Sequence, residues 1–401
     1  MDEPTIGERI RELRRGIFTQ HDLAVAADVS VHTIRQLEQG RRQTASIATL
    51  ARLARALGVD VGELLGRPPV ASAAGESQRV VAIRDALASV DDLLGELDDV
   101  DAPDLTELAR GVTYAFGLYW AGRYGQLAAL LPGLLTEAAV AMHGAAASNM
   151  GRAADLAAQV HRIAASTLLH FGASDLGYLA AREALRLAAL VSDPLRVAAV
   201  HCSLAHVLMR QGRFLDAERI SVAAAEQVEP TGQASPAQLS IFGGLVLRGA
   251  TAAARQRRAG AATDLLTEAT TAAQRIGVDR TDYDVVFGPG HVVMGSVDCS
   301  VVAEDFARAA EIARTMPRDS ALPLSTRSRH LADVAHAELR LGHTKAAEAV
   351  LLTMERAAPE WAAHQQLPRV LVGELMTRGR PSARLRELAH RLSAARAPRL
   401  S

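Results

Sequence analysis

From about residue 104 to 395 one spacing of small, turn-forming and apolar residues keeps returning, and it restricts three quarters of the chain to one kind of architecture. The clearest copy covers residues 201–230, where Leu204-Ala205, Leu208, Gly212, Phe214, Ala217, Ala224 and Pro230 fall in a helix–turn–helix pattern. A second copy carries Val334-Ala335, Gly342, Ala347, Met354 and Pro359, with the turn glycine preceding the packing alanine by the same interval. Weaker copies hold Ala115, Gly122 and Tyr124, then Ala165, Gly172 and Ala180, and less regular ones surround 241–277 and 292–317. Small residues let two helices approach, a glycine turns the chain sharply, and a proline ends the second helix. One such pair cannot bury its apolar face alone, so pairs must stack.

This pattern resembles tetratricopeptide (TPR) repeats, whose stacked pairs form a curved solenoid with a concave face. Composition agrees with an all-α chain: aromatics are only 3% of 401 residues, and alanine-rich helices pack closely without large rings. Positive charge is carried by arginine, Lys345 being the single lysine, and the formal net charge is −1. That balance argues against a protein that coats nucleic acid non-specifically, while leaving room for a small local reading head. Cys202 and Cys299 lie too far apart in sequence for a disulfide framework or metal knuckle. The N-terminus is acidic and then amphipathic, unlike a signal peptide, and no apolar run is expected to span a bilayer; a cytoplasmic protein with no membrane partner is expected.

Residues 19–40, TQHDLAVAADVSVHTIRQLEQG, read as two short helices joined by a tight turn. Thr19 with Asp22 caps the first, Asp28 occupies the turn where a left-handed backbone is needed, and Ser30 caps the second. Leu23, Ala24, Ala27, Val29, Ile34 and Leu37 would hold the pair together. His32, Arg35, Gln36 and Gln39 then share the outward face of the second helix, spaced i, i+3, i+4, i+7. A helix so furnished suits the major groove. Before it, Ile6, Ile10 and Leu13 predict a helix over 5–15 that Gly16 breaks. After it, Ile47, Leu50, Leu53, Ala54 and Leu57 predict one over 46–57, stopped by Gly58. Asp60 and Glu63 form a capping box for a fifth, ending near Leu65.

IGERIRELRR, the stretch 19–42 and IATLARLARALGVDVGELL together resemble the XRE (phage repressor/Cro-like) helix-turn-helix family over residues 5–66. The resemblance implies a five-helix lambda-repressor-like DNA-binding domain, acting as a homodimer on a palindromic operator in double-stranded DNA. By position it assigns base reading to Val31, His32 and Gln36, with Arg35 beside them. It assigns phosphate contact to Gln20, Arg41 and Arg42, with Thr33 and Gln39 as further backbone candidates. The chain departs from the family in a shorter link between the first two helices, in Asp28 where a glycine is usual, and in lacking the proline before helix four. The whole layout resembles actinobacterial regulators that join an XRE head to a TPR-like body. Phe287-Gly-Pro-Gly-His291 falls where that group has Phe-Gly-Pro-Thr-Asn, and differs in the last two residues.

The expected organisation is therefore a DNA-binding domain at 1–66, a linker at 67–77 stiffened by Pro68-Pro69, and a TPR-like sensor and dimerisation domain at 78–401. Residues 80–97 are amphipathic through Val80, Ile83, Leu87, Val90, Leu94 and Leu97, as the first helix of that domain or as a dimerising helix. No HExxH, paired-cysteine, phosphate-loop or Gly-x-Ser-x-Gly motif occurs, and no metal, cofactor or enzyme activity is expected. His201, Cys202 and His206 cluster, but at five residues apart the histidines point to different helix faces. Asp282, Asp284 and His291 lack a positioned nucleophile. Candidate ligand contacts in the body are Tyr119, Trp120, Arg182, His206, Arg248, Phe287, His291 and His330, for a small molecule, peptide or protein partner. XRE–TPR proteins resemble peptide-sensing quorum receptors, which often grip peptide backbones with asparagine; the only asparagine here is Asn149. The expected function is a ligand-modulated transcriptional regulator. Its rivals are an interaction scaffold with a vestigial head, and an enzyme with an accessory DNA-binding domain.

Overall fold

The computed structural model describes residues 5–14, 18–42, 45–57, 64, 74–91, 103–378 and 380–394. By compactness the chain divides into two units, Met1–Ala74 and Gly75–Ser401.

In the first unit α1 (Ile6–Arg14), α2 (Gln20–Ala26), α3 (Val31–Glu38) and α4 (Ile47–Leu57) enclose a core of Ile10, Leu23, Ile34, Leu37, Leu50 and Leu53. Thr19 and Asp22 form the expected capping box, and the Ser30 hydroxyl accepts from the Thr33 N–H at 3.1 Å. Asp28 stands at φ 49°, the left-handed turn conformation. Arg15, Gly16, Gly58, the Asp60–Glu63 cap and the side chain of Ile47 lie outside what is described; of the fifth helix only Leu64 is described, and it is buried.

The second unit opens with α5 (Ala74–Leu87). The amphipathic helix expected over 80–97 is thus corrected: it starts earlier, taking in the last residues of the supposed linker, and ends at Leu87. Val90 lies beyond it and is 48% exposed, while Leu94 and Leu97 lie outside the described residues. Ile83 is fully buried in the core of this unit, which makes α5 its first helix.

Six helix pairs follow: α6 (Leu105–Trp120) with α7 (Tyr124–His143), α8 (Met150–His170) with α9 (Ser174–Ala188), and α10 (Pro194–Arg210) with α11 (Phe214–Gln227). Then come α12 (Pro236–Arg255) with α13 (Ala259–Ile276), α14 (Pro289–Val302) with α15 (Phe306–Ala313), and α16 (Leu324–Arg340) with α17 (Thr344–Ala357). The chain ends in α18 (Pro359–His364), α19 (Gln366–Thr377) and α20 (Ala383–Ala394). Pro359 therefore begins a helix, at the first position where its missing N–H costs nothing, besides closing the preceding one.

All six pairs turn in the same way. Gly122, Gly172, Gly212, Arg257, Glu304 and Gly342 take positive φ between 61° and 84°. The next residue donates its N–H five residues back: Arg123 to Leu118, Ala173 to Leu168, Arg213 to Leu208, Arg258 to Ala253, Asp305 to Ser300 and His343 to Glu338, all at 2.9–3.1 Å. This is the Schellman closure, which satisfies helix-end carbonyls through one left-handed residue.

Two features correct the expectations. A two-stranded antiparallel hairpin, β1 (Arg280–Asp282) and β2 (Val285–Phe287), interrupts the otherwise all-α chain between α13 and α14. Also, α7 is long and apolar enough by length and composition to cross a membrane. It packs Leu127, Leu131, Leu134, Leu135 and Ala138 into the core of this unit and carries Pro132 within its length.

The row of pairs closes on itself. Tyr124, from the first pair, is 1% exposed within a core shared with Ala332, Leu339 and Trp361. Glu360 accepts from the Gly125 N–H, and Gly122 lies so close to Trp361 that a Cβ there would stand 3.0 Å from its Cβ. The Tyr124 ring stacks on His170 at 3.7 Å, and His170 Nδ1 meets Gln365 Nε2 at 3.0 Å.

Candidate nucleic-acid interface and interior site

In the N-terminal unit α3 is anchored from beneath by Ile34 and Leu37, both nearly inaccessible to solvent. Gly7 lets α1 lie directly against its end: a Cβ at that position would fall 1.8 Å from the Leu37 carbonyl oxygen. On the opposite face His32, Arg35 and Gln39 are exposed and Gln36 is half-buried. Val31 is half-buried and packs partly on the core, and Arg41 is exposed just beyond the helix. Arg42 donates its backbone N–H to the Gln36 carbonyl at 3.0 Å, so the chain after α3 is folded back on it. Thr33 Oγ1 shares a 2.8 Å hydrogen bond with Ser30 Oγ.

Glu38 was overlooked from sequence and ties this head together. It takes Arg14 Nε at 2.7 Å and Arg14 Nη2 at 3.0 Å, and Gln20 Nε2 at 2.7 Å. Burial pushes its carboxyl up, but the hydrogen bonds from Arg14 and Gln20 outweigh that and leave it below the usual range. Gln20, a phosphate-contact candidate, is therefore oriented by Glu38 through one N–H of its amide. A carboxamide nitrogen carries two, and the second remains for another acceptor.

In the C-terminal unit the first helix of each pair turns a polar stripe toward one interior. Arg329 keeps 31% of its side chain exposed while pairing with Asp298 and Asp333. The groups that feel one another there are Tyr119 (α6), Arg162 and His170 (α8), His206 and Arg210 (α10), Arg248 (α12), His291 (α14) and Arg329 (α16). Burial, then the charges of Arg248 and Arg210, hold His206 well below its ordinary pKa; burial first, then Arg248, brings His291 down to about 4. Burial likewise raises the Tyr119 phenol. Those histidines are neutral hydrogen-bonding groups near pH 7.

Of the eight ligand candidates, Tyr119, His206, Arg248 and His291 meet in this interior. Trp120 lies beside it, its ring 5.0 Å from that of Tyr119. Arg182 sits exposed on α9, a second helix, outside the group. Phe287 is wholly buried, its ring pressed on Gly243, where a Cβ would stand 2.1 Å away. His330 is 5% exposed, and burial takes it down to about 4. The 287–291 segment is a junction: Gly288 takes φ 152°, and Asp279 accepts from the Gly290 N–H at 2.8 Å and from Ser320 Oγ at 2.6 Å.

Arg162 and the α12–α16 charge cluster were not foreseen. Arg162 is 3% exposed and donates to Ser203 Oγ at 2.8 Å and to the Tyr283 and Asp284 carbonyls at 2.5 and 2.7 Å, clasping the hairpin turn. Asp298 receives Arg255 in a two-pronged pair at 2.8 Å each, and Arg329 at 3.4 Å; Arg329 also reaches Asp333 at 3.0 Å. The available signal was a charge at core phase, as in Val297-Asp298-Cys299 and Ala332-Asp333. Cys202 and Cys299 are buried free thiols, and among the described residues no three His, Cys, Asp or Glu side chains gather as metal ligands would.

No curated protein matches the chain. Among solved structures, PlcR of Bacillus thuringiensis in complex with the peptide PapR7 and DNA aligns over 69% of this chain and 96% of its own, at 14% identity and a TM-score of 0.35. The apo form of the competence regulator ComR from Streptococcus vestibularis aligns over 82% and 97%, at 13% identity and 0.30. Neither superposition is close enough to carry structural detail across. Residues 5–65 match the model of a helix-turn-helix domain, so this chain carries that domain at its N-terminal end.

Proposed function

We propose that the protein is a sequence-specific DNA-binding transcriptional regulator, in which residues 1–66 read DNA, a linker follows, and the unit that opens at α5 senses and dimerises. The observation that carries this reading is the face of α3. His32, Arg35 and Gln39 are exposed and Gln36 half-exposed, on a helix fixed from below by Ile34 and Leu37, within a matched helix-turn-helix domain. Arg35 and Gln36 offer donors in the geometry that base edges take, His32 adds a ring nitrogen, and Val31 suits a thymine methyl. Gln20, Thr33, Gln39, Arg41 and Arg42 would fix the helix against phosphates. Two heads on one homodimer would meet half-sites about one helical turn apart. A ligand taken into the interior by Tyr119, His206, Arg248 and His291 would favour one closure of the helical row and so shift the spacing of the heads.

The test is gel retardation on operator DNA selected from genomic fragments by the full chain. Gln36→Ala should relax preference at one base position by about 1–3 kcal/mol. Arg41→Ala should weaken binding to all sequences alike and reduce the salt slope by about one. If wild type and both variants bind every sequence equally, the head is vestigial and the scaffold reading takes its place.

A further inference from the structure

Several charges of the interior have identified partners. Arg255 and Arg329 are taken by Asp298 and Asp333. Arg162 spends its donors on Ser203 and on two turn carbonyls, with the Asp284 charge nearby. Arg196 is paired with Asp155, and Arg340 with Glu374. Arg248 is different. It sits on α12, its Nε is shut off from water without a hydrogen-bond partner, and no carboxylate among the described residues stands at ion-pair distance from it. Asp298 feels its charge, but the oxygens of Asp298 are bonded to Arg255 and Arg329. The charge of Arg248 is felt by Tyr119, His206 and His291.

Arg248 is half-buried, and a guanidinium whose Nε is shut off without a partner is costly unless an opposite charge meets its open edge. Asp298, the acid that feels this charge, is already bonded to Arg255 and Arg329, which leaves Arg248 open to a counter-charge from outside the chain. We propose that the interior takes its ligand through a carboxylate, received by the Arg248 guanidinium and hydrogen-bonded by Tyr119, His206 and His291. The proposal rests on the ligand-sensing reading above. The planar fork of arginine matches a carboxylate bidentately. A monoanion fits better than a phosphate dianion: the single charge of Arg248 balances it, and Asp298 close by would repel a second negative charge. The carboxylate can belong to a peptide C-terminus or to a small organic acid, and the experiment separates the two.

The experiment uses the full chain and follows thermal unfolding through tryptophan fluorescence, both tryptophans lying in the C-terminal unit. Without any ligand, Arg248→Met should raise the melting temperature by roughly 1–3 °C, because an uncompensated charge is removed. Arg255→Met, which strands Asp298, should lower it. Two probe pools are then added: random heptapeptides with free C-termini, and a mixture of benzoate, phenylacetate and octanoate. Each is matched with its C-terminal or primary amide. One carboxylate pool should stabilise the wild type, its amide counterpart should not, and Arg248→Met should lose the effect. The pool that acts identifies the source. A lower melting temperature for ligand-free Arg248→Met overturns the proposal, as does a response that survives in that variant or with the amides, or no response to either carboxylate pool. Failure of the regulator reading looks different: the carboxylate would stabilise the protein and leave operator retardation unchanged.

Discussion

At residue 257 an arginine holds φ at 61°, and at residue 304 a glutamate holds 62°, in turns whose four counterparts are glycine. For an L-residue this conformation costs about 1–2 kcal/mol, whereas glycine adopts it freely and pays instead in unfolded-state entropy. The difference favours glycine, so Arg257→Gly and Glu304→Gly should each stabilise the C-terminal unit by about 0.5–1 kcal/mol. Gly212→Ala, at φ 72°, should cost about 1 kcal/mol. Denaturant midpoints followed by tryptophan fluorescence check both signs, and a loss of stability in Arg257→Gly would count against the account. The same residues explain what could be read in the sequence. Repeats turned by Gly212 and Gly342 are the clearest in the sequence, those turned by Gly122 and Gly172 weaker, and those turned by Arg257 and Glu304 irregular, although the backbone does the same thing in all six. Glu38 escaped for a related reason: its partners Arg14 and Gln20 lie 24 and 18 residues away, and no local spacing announces them.

At the scale of elements, the helices were legible because periodicity and caps are local; the β-hairpin was not. Its strands have three residues each, and its two turn residues, Tyr283 and Asp284, both hold positive φ, at 49° and 54°. Such a primed turn ordinarily announces itself with Asn-Gly. Here the conformation is imposed by distant groups. Arg162 holds both turn carbonyls, Asp193 accepts from the Tyr283 hydroxyl at 2.8 Å, and Phe287 lies on the bare backbone of Gly243. Gly243→Ala should therefore cost about 1–3 kcal/mol, since the new methyl meets a ring that has nowhere to go. Adding Phe287→Leu should recover part of that loss, because the smaller side chain leaves room for it. A double-mutant cycle measures this coupling; strictly additive effects would mean that the hairpin does not seat on α12 as described.

At the scale of the whole C-terminal unit, closure of the helical row brings residues 235 positions apart into contact and buries histidines that a plain open solenoid would leave wet. A repeat pattern predicts neighbours only, so the meeting of Tyr124 with Trp361 could not be read from it. Closure also fixes how the unit responds to acid. Burial holds His330 and His336 down to about 4 and, with the Arg248 charge second, His291 too; His170 and His206 lie well below their ordinary value. Between pH 4 and about 6.5 the unfolded chain binds more protons at these sites than the folded one, so stability rises with pH across that window. Above it the contribution is complete, and it is lost as pH falls. Asp333, Asp284 and Glu268 work in the opposite direction, because burial raises them, but they are three groups against seven histidines once His161 and His201, also lowered by burial, are included. For His330, which is 5% exposed, the loss between pH 7.5 and 5.0 is about 2 kcal/mol. Replacing it with glutamine keeps a polar side chain that cannot take the proton. Urea midpoints at the two pH values should then lie closer together in His330→Gln than in the wild type. An unchanged gap would mean that His330 is protonated as easily inside the closed row as outside it, and that closure does not exclude the proton as this burial requires.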